Sequence, residues 1–264
     1  MFEELYIESD GGRLFVRVEG AHDAPVLLLH HSLATNLHSW DRIVPALAEH
    51  YRVVRFDARG HGKSDAPAGP YDLAHLTEDV LRILDHLEIN RAHFLGLSMG
   101  GMVGQLLGLS HGDRVLSLIL ASTTSFVSPE AGPLWDERIA RVRSAGMVSQ
   151  VEGTVGRWFT QGFLESDTQR VEEIARMIAE TPVEGYAGWC EAIKTLNLTD
   201  KLGAITAPTL VIVGEEDPGT PVAAARVIHE AIANSQLVII PAASHQAPVE
   251  QPEAFGAAVL GFIK

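Results

Sequence analysis

The chain has 264 residues, 46% of them hydrophobic and 20% charged, which is enough for a sizeable core in one large α/β unit or two smaller ones. A single cysteine, Cys190, excludes an intramolecular disulfide, and no CxxC or paired Cys/His spacing suggests structural zinc. With 34 Asp and Glu against 20 Lys and Arg the net charge is −14, which opposes a phosphate backbone, so nucleic acid is not an expected partner.

The first residues, Met1-Phe2-Glu3-Glu4-Leu5, have neither the cationic start nor the apolar run of a signal peptide. No stretch approaches the ~18 apolar residues of a membrane span, so the expectation is a cytoplasmic protein without a membrane partner. Leu5 to Glu8 and Leu14 to Val18 flank Asp10-Gly11-Gly12, the signature of an antiparallel hairpin at a sheet edge. From Val26 to Leu29 a short Val/Leu run reads as a strand buried on both faces, as do Val53 to Phe56, Phe94 to Leu97, Val115 to Leu120, Leu210 to Val213 and Leu237 to Ile240. Helical patterns lie between them. Leu76, Val80, Ile83 and Leu87, for example, place one apolar stripe along a helix. Strand–helix alternation predicts an α/β fold: a mostly parallel central sheet with helices on both faces.

The strand ending at Leu29 runs into His30-His31-Ser32-Leu33-Ala34. Adjacent residues on a strand point to opposite faces and no third ligand is evident, so His30 and His31 do not read as a metal site. The run Gly60-His61-Gly62-Lys63-Ser64 contains GKS, but Asp57 stands where a P-loop needs glycine. A dinucleotide fingerprint fails in the same way, because Ser98 occupies its second glycine. No cofactor is expected.

Gly96-Leu97-Ser98-Met99-Gly100-Gly101 satisfies GxSxG between the run Phe94 to Leu97 and the helical pattern Met102, Leu106, Leu107. Such a turn exposes a serine Oγ at the N-terminus of a helix, where negative charge is favoured. Serine is a poor nucleophile unless a histidine, oriented by a carboxylate, removes its proton. Both partners follow at strand ends: Glu215, Glu216 and Asp217 after Val213, and His245 after Ile240. Asp217 lies furthest into its loop, and His245 follows the last predicted strand. Ser98, Asp217 and His245 are therefore the predicted catalytic residues, with the backbone N–H groups of Met99 and Ser32 as the expected oxyanion donors.

Residues 122–207 are far longer than the dozen or so that a crossover needs. Their apolar positions have helical spacing: Trp135, Ile139 and Val142; Val151, Val155 and Trp158; Val171, Ile174 and Ile178; Tyr186, Trp189, Ile193 and Leu196. This predicts about four helices inserted as a cap, residues 122–207, into a core formed by 1–121 and 208–264. His31, Leu33, Trp135, Arg138 and Trp158 are the expected substrate contacts. Arg138, Arg141 and Arg157 are candidates to pair with an anionic substrate.

With these motifs in place the chain resembles the α/β-hydrolase-fold enzymes over essentially its whole length, and among them most resembles the 3-oxoadipate enol-lactone hydrolases. The resemblance is carried by His31 through Trp40, Arg55 through Gly62, the Ser98 turn, Arg157-Trp158-Phe159-Thr160, Gly185-Tyr186 through Cys190-Glu191-Ala192-Ile193, Ser244-His245 and Glu250 through Phe255. It implies Ser98 as nucleophile, Asp217 as acid, His245 as base, and a small ester or lactone as the substrate. The family tends to have Ser-Asn before Ser-Leu-Gly-Thr, where this chain has His30-His31 before Ser32-Leu33-Ala34-Thr35. Gln246-Ala247 likewise replaces a more usual Ile/Leu-Ser pair. Both changes are expected beside the acyl pocket. The competing readings are a general carboxylesterase, a carbon–carbon bond hydrolase of the same fold, and a non-catalytic ligand-binding receptor.

Overall fold

The computed structural model describes residues 2–263. Eight strands form one sheet: β1 (Phe2–Ser9), β2 (Gly12–Glu19), β3 (Val26–His30), β4 (Arg52–Phe56), β5 (Ala92–Leu97), β6 (Val115–Ala121), β7 (Thr209–Gly214) and β8 (Ser235–Ile240). Their order across the sheet is β1-β2-β4-β3-β5-β6-β7-β8. β1 and β2 pair antiparallel as the predicted edge hairpin, and β2 pairs antiparallel with β4. All other pairings are parallel. The carboxyl ends of β3 to β8 therefore share one edge of the sheet, and the loops leaving that edge build the site.

Alternation along each strand feeds two separate cores. Leu28, Val54, Phe94, Leu118, Leu120, Val211 and Val213 face one, whereas Leu27, Leu29, Val53, Leu95, Ile119, Leu210 and Ile212 face the other. The second core is closed by α1 (Val44–Ala48), through Val44 and Leu47, and by a C-terminal helix through Phe255 and Val259. The first is closed by α2 (Leu73–His86) and α3 (Met99–Ser110). Asp72 caps α2 by accepting the His75 N–H, and its stripe Leu76, Val80 and Ile83 is buried.

Between β6 and β7 the chain forms α4 (Gly132–Ala145), α5 (Val148–Trp158), α6 (Gln161–Ser166), α7 (Thr168–Glu180) and α8 (Val183–Lys194). Four of these carry the apolar stripes read from the sequence. The fifth, α6, is six residues long and shows no period of its own. After β7 come α9 (Val222–Ala231), α10 (Ala247–Glu250) and α11 (Pro252–Phe262). No described helix is long and apolar enough to cross a membrane.

The turn from β5 into α3 is sterically closed around Ser98, which adopts φ 57° and ψ −111°. A Cβ on Gly96 would lie 2.2 Å from the Gly100 carbonyl oxygen, one on Gly100 2.3 Å from the His30 carbonyl oxygen, and one on Gly101 2.6 Å from the Thr123 Cβ. Backbone of this kind costs about 1–3 kcal/mol and persists only where its surroundings over-determine it.

Two loops beside that turn are joined by histidines. The His61 Nε2 accepts the Ala34 N–H at 2.9 Å, and the His31 Nε2 accepts the Ala58 N–H at 2.9 Å. Each ring carries its proton on Nδ1, which donates to the Arg59 carbonyl from His61 (3.2 Å) and to the Ser32 carbonyl from His31 (2.8 Å). Asp57 adds a further tie: its Oδ1 accepts the Leu37 N–H and its Oδ2 the Lys63 N–H, both at 2.8 Å. Burial holds these imidazoles neutral, bringing His30 down to about 4, His61 to about 3, and His31 well below the usual histidine value.

Substitution at a crowded glycine separates fold-determining from permissive positions. Gly100→Ala should destabilise by about 1–3 kcal/mol or more through backbone overlap, whereas Gly256→Ala, in α11 with nothing near its Cβ, should be neutral or stabilising by up to about 1 kcal/mol. Urea denaturation checks both. The buried histidines set a pH dependence. They are neutral when folded and protonate near 6.5 when unfolded, so their stabilisation is complete above that value and is lost as pH falls toward 4 and 3. Each contributes a slope of up to about 1.4 kcal/mol per pH unit in that window. The urea midpoint should therefore be clearly lower at pH 5.5 than at 7.5, and a flat profile would contradict the neutral assignment.

Candidate active site

The parallel register brings three loops to one small cavity of about 130 Å³. Ser98, Thr220 and His245 line it from the strand ends, Leu33 and Ala34 from the loop after β3, and Trp135, Arg138, Thr154, Arg157, Trp158, Tyr186 and Ile193 from the inserted helices. The Ser98 backbone is fixed from both sides: its N–H donates to the Ala121 carbonyl at 2.8 Å, and its carbonyl accepts the Thr123 hydroxyl at 2.7 Å. Its Oγ makes no protein hydrogen bond among the described residues, and the residue is partly accessible and borders the cavity.

Asp217, not Glu215 or Glu216, meets the histidine. Its Oδ2 lies 2.8 Å from the His245 Nδ1, while both glutamates are exposed. Four further interactions show how the loop after β7 presents this carboxylate. Oδ1 accepts the Gly219 and Thr220 N–H groups at 2.9 and 3.0 Å, Oδ2 accepts the Thr220 hydroxyl at 2.8 Å, and that hydroxyl also lies 3.3 Å from the His245 Nδ1. Burial pushes the Asp217 carboxyl upward, but the His245 charge and hydrogen bond, with the Thr220 bonds, outweigh it and hold the group below its ordinary value. An ionised Asp217 keeps the His245 proton on Nδ1 and leaves Nε2 free to accept one. Thr220 was not anticipated from the sequence; a Thr three residues after a loop Asp is the signal that could have found it.

The inserted helices reach the histidine directly. The Trp158 ring stacks on His245 with centroids 5.6 Å apart and planes 26° apart. The Trp158 carbonyl accepts the Gln246 N–H at 3.1 Å, and the Arg157 carbonyl accepts the Ser244 hydroxyl at 3.1 Å. Glu250, in α10, ties the same segments together: Oε1 accepts the Thr160 N–H at 2.7 Å and Oε2 accepts the Ser244 N–H.

Of the predicted substrate contacts, Leu33, Trp135, Arg138 and Trp158 line the cavity, and His31 does not. His31 is fully buried, with both ring nitrogens committed to backbone partners, so it lies behind the wall. Ser32 is also absent from the lining: its Oγ accepts the Gln246 Nε2 at 2.9 Å, and the residue is fully buried. His30 and Gln246, like His31, are buried and do not border the cavity. The departures at His30, His31 and Gln246 therefore fall in the support of the site, whereas Ala34 borders the cavity. Met99 follows Ser98 at the start of α3, as expected.

Two guanidiniums face the cavity without a carboxylate partner among the described residues. Arg138 sits over the Trp135 ring at 4.7 Å, and Arg157 reaches only the Thr154 hydroxyl at 3.5 Å. Burial, with the nearby Arg138 charge, depresses the Arg157 pKa. Arg141, by contrast, is exposed and paired with Glu137.

A family model described as the alpha/beta hydrolase fold matches residues 25–252. The chain is 38% identical over 245 residues to 3-oxoadipate enol-lactonase 2 of Acinetobacter baylyi, covering 93% of this chain and 91% of that one. The crystal structure of the enol-lactonase from Burkholderia xenovorans LB400 superimposes with a TM-score of 0.94 at 38% identity, covering 98% of this chain and 99% of that chain. A hydrolase from Pseudomonas aeruginosa PA01 gives the same TM-score at 45% identity, covering 99% of this chain and 98% of that one. The strand order, the closed turn at Ser98 and these full-length likenesses agree: the chain is a hydrolase of the alpha/beta-hydrolase fold family, related over nearly its whole length to the 3-oxoadipate enol-lactonases.

Proposed function

We propose that the protein hydrolyses a small carboxylate-bearing lactone, of the 3-oxoadipate enol-lactone type, through an acyl-enzyme on Ser98. The observation that carries the reading is the single cavity bordered by Ser98 and the Asp217-bound His245 on one side and by unpaired Arg138 and Arg157 on the other. Its small volume suits a compact substrate better than a long acyl chain. Residues 122–207 serve as the cap that supplies the second side, over a core of 1–121 and 208–264.

In this scheme the Ser98 Oγ attacks the lactone carbonyl while the His245 Nε2 takes its proton, and Asp217 stabilises the imidazolium through Nδ1–H. Negative charge develops on the carbonyl oxygen. The Met99 N–H is one donor to it, as read from the sequence. The Ser32 N–H, from the loop after β3, is the second, read in the same way. Collapse breaks the ring C–O bond, and the leaving oxygen, still tethered to the acyl chain, takes the proton back from His245. Water, activated by the same imidazole, then attacks the ester and releases the diacid. The guanidiniums hold the substrate carboxylate, and Trp158 positions the imidazole by stacking.

The wild-type protein should open 3-oxoadipate enol-lactone with a higher kcat/KM than 4-nitrophenyl acetate, and Ser98→Ala should lower kcat/KM for the lactone by at least about 10³-fold while remaining folded. The reverse substrate ranking would reassign the protein as a general carboxylesterase, and a folded Ser98→Ala variant within tenfold of wild type would remove the mechanism. Charge-assisted hydrogen bonds contribute about 1.5–3 kcal/mol, so Arg138→Gln and Arg157→Gln should each raise KM for the lactone roughly tenfold more than for its methyl ester. Equal effects on acid and ester would contradict the anion-binding role.

A further inference from the structure

We propose that His31 and His61 are positioning residues for catalysis, acting as a reciprocal pair of neutral hydrogen-bond acceptors that hold the oxyanion-binding loop in a conformation it would not otherwise keep. The proposal rests on the oxyanion role given above to the Ser32 N–H in this loop.

The loop leaving β3 is strained where its function is most exacting. Ala34, the residue after Leu33, adopts φ 61°, a left-handed conformation that costs a non-glycine residue about 1–2 kcal/mol. The residue is alanine and not glycine, so the strain is not relieved by composition. Something must oppose it, and the hydrogen bonds around Ala34 do so. Its own N–H is the group that His61 accepts, 27 positions along the chain. On the other side of Leu33, the Ser32 carbonyl is held by the His31 Nδ1–H, and the His31 Nε2 reaches back to accept the Ala58 N–H. The two rings thus fix the chain on the C-terminal side of the Ser32 donor, at its own carbonyl and at the Ala34 N–H. The rings meet edge to face, with centroids 5.2 Å and planes 62° apart, so each occupies space that the other would need in order to swing away.

Two observations separate this arrangement from ordinary core packing. First, the exchange is reciprocal: His31, from the loop after β3, accepts an N–H from the loop after β4, and His61, from the loop after β4, accepts one from the loop after β3. An aliphatic side chain could fill either volume but would orphan a buried N–H. Second, the partner loop is itself stiff, since Asp57 accepts the Lys63 N–H and the Trp189 Nε1 donates to the Arg59 carbonyl at 2.8 Å. A donor that stabilises charge only in the tetrahedral state must already be in place before that charge appears. The clasp therefore acts on kcat and leaves ground-state binding nearly unchanged.

The test uses His31→Leu and His61→Leu, with His61→Gln and His61→Asn as a second pair. A Gln carbonyl can reach the position of the His61 Nε2, whereas Asn is too short to do so. Three quantities are read: kcat and KM with 4-nitrophenyl acetate, and Kd for phenylboronic acid, whose adduct with the Ser98 Oγ mimics the tetrahedral anion. Each Leu variant should lose roughly 10- to 100-fold in kcat with KM changed less than about threefold, and the boronate Kd should weaken by the same factor as kcat. His61→Gln should recover most of the loss and His61→Asn none of it. Folded Leu variants with kcat within twofold of wild type would overturn the proposal. So would a fall in kcat without weaker boronate binding, which would mark general loosening of the structure. If the Leu variants do not fold, indistinguishable Gln and Asn variants would overturn it equally. Failure of the acyl-enzyme reading itself would appear differently, as a boronate that does not bind the wild-type protein.

Discussion

Backbone crowding at the turn between β5 and α3 is the constraint on which the other features of the site depend. Cβ atoms at 96, 100 or 101 would overlap the Gly100 carbonyl, the His30 carbonyl or the Thr123 side chain, so the turn closes only with glycine there. The contact at Gly100 also brings the end of β3 against the start of α3, which sets the loop carrying Leu33 beside the serine. Once Ser98 is held at φ 57° by that packing, its hydroxyl projects beyond the sheet edge, where the loops after β7 and β8 arrive in parallel register.

Charge is distributed around this turn in three layers. Asp217 is kept ionised by four donors from Gly219, Thr220 and His245, so the imidazole is oriented before any substrate binds. Behind the cavity wall the environment is the reverse, and His30, His31 and His61 are held neutral by burial. Above the cavity, Arg138 and Arg157 have no carboxylate partner among the described residues, in a chain whose overall balance is −14, and it is on this local positive charge that the proposal of an anionic substrate rests. The inserted helices do more than roof the site. Through Trp158 and the Glu250 contacts to Thr160 and Ser244, they are hydrogen-bonded and stacked onto the segment that carries His245.

Residues that define this arrangement differ in how far they could be read from the sequence. Ser98, Asp217 and His245 are legible because each sits at a fixed offset from an apolar strand, and a parallel sheet converts that offset into a shared edge. The four longer inserted helices are legible from their stripes, whereas α6, at six residues, spans too few turns to show a period. The conformation of the loop after β3 is less legible. Whether Ser32 or Leu33 faces the cavity depends on the turn in which the Thr35 N–H donates to the Ser32 carbonyl and Ala34 turns left-handed, and neither alanine nor serine signals such a turn. His31 was read as a pocket residue from its nearness to the site along the chain, but its partner Ala58 lies 27 residues away and draws the ring behind the wall. Among the cap arginines, helical spacing does not distinguish Arg141 from Arg138. Their neighbours do: Glu137 pairs with Arg141 at the surface, and the Trp135 ring supports Arg138 toward the cavity.

The central claim, that the reaction passes through a covalent ester on Ser98, is tested most directly by rapid acid quench of the protein mixed with 3-oxoadipate enol-lactone, followed by intact mass measurement and peptide mapping. The account predicts a transient species heavier by the mass of one lactone, localised to the peptide that contains Ser98 and decaying as product forms. Steady turnover with no such adduct on any millisecond time point, or an adduct on another residue, would contradict it.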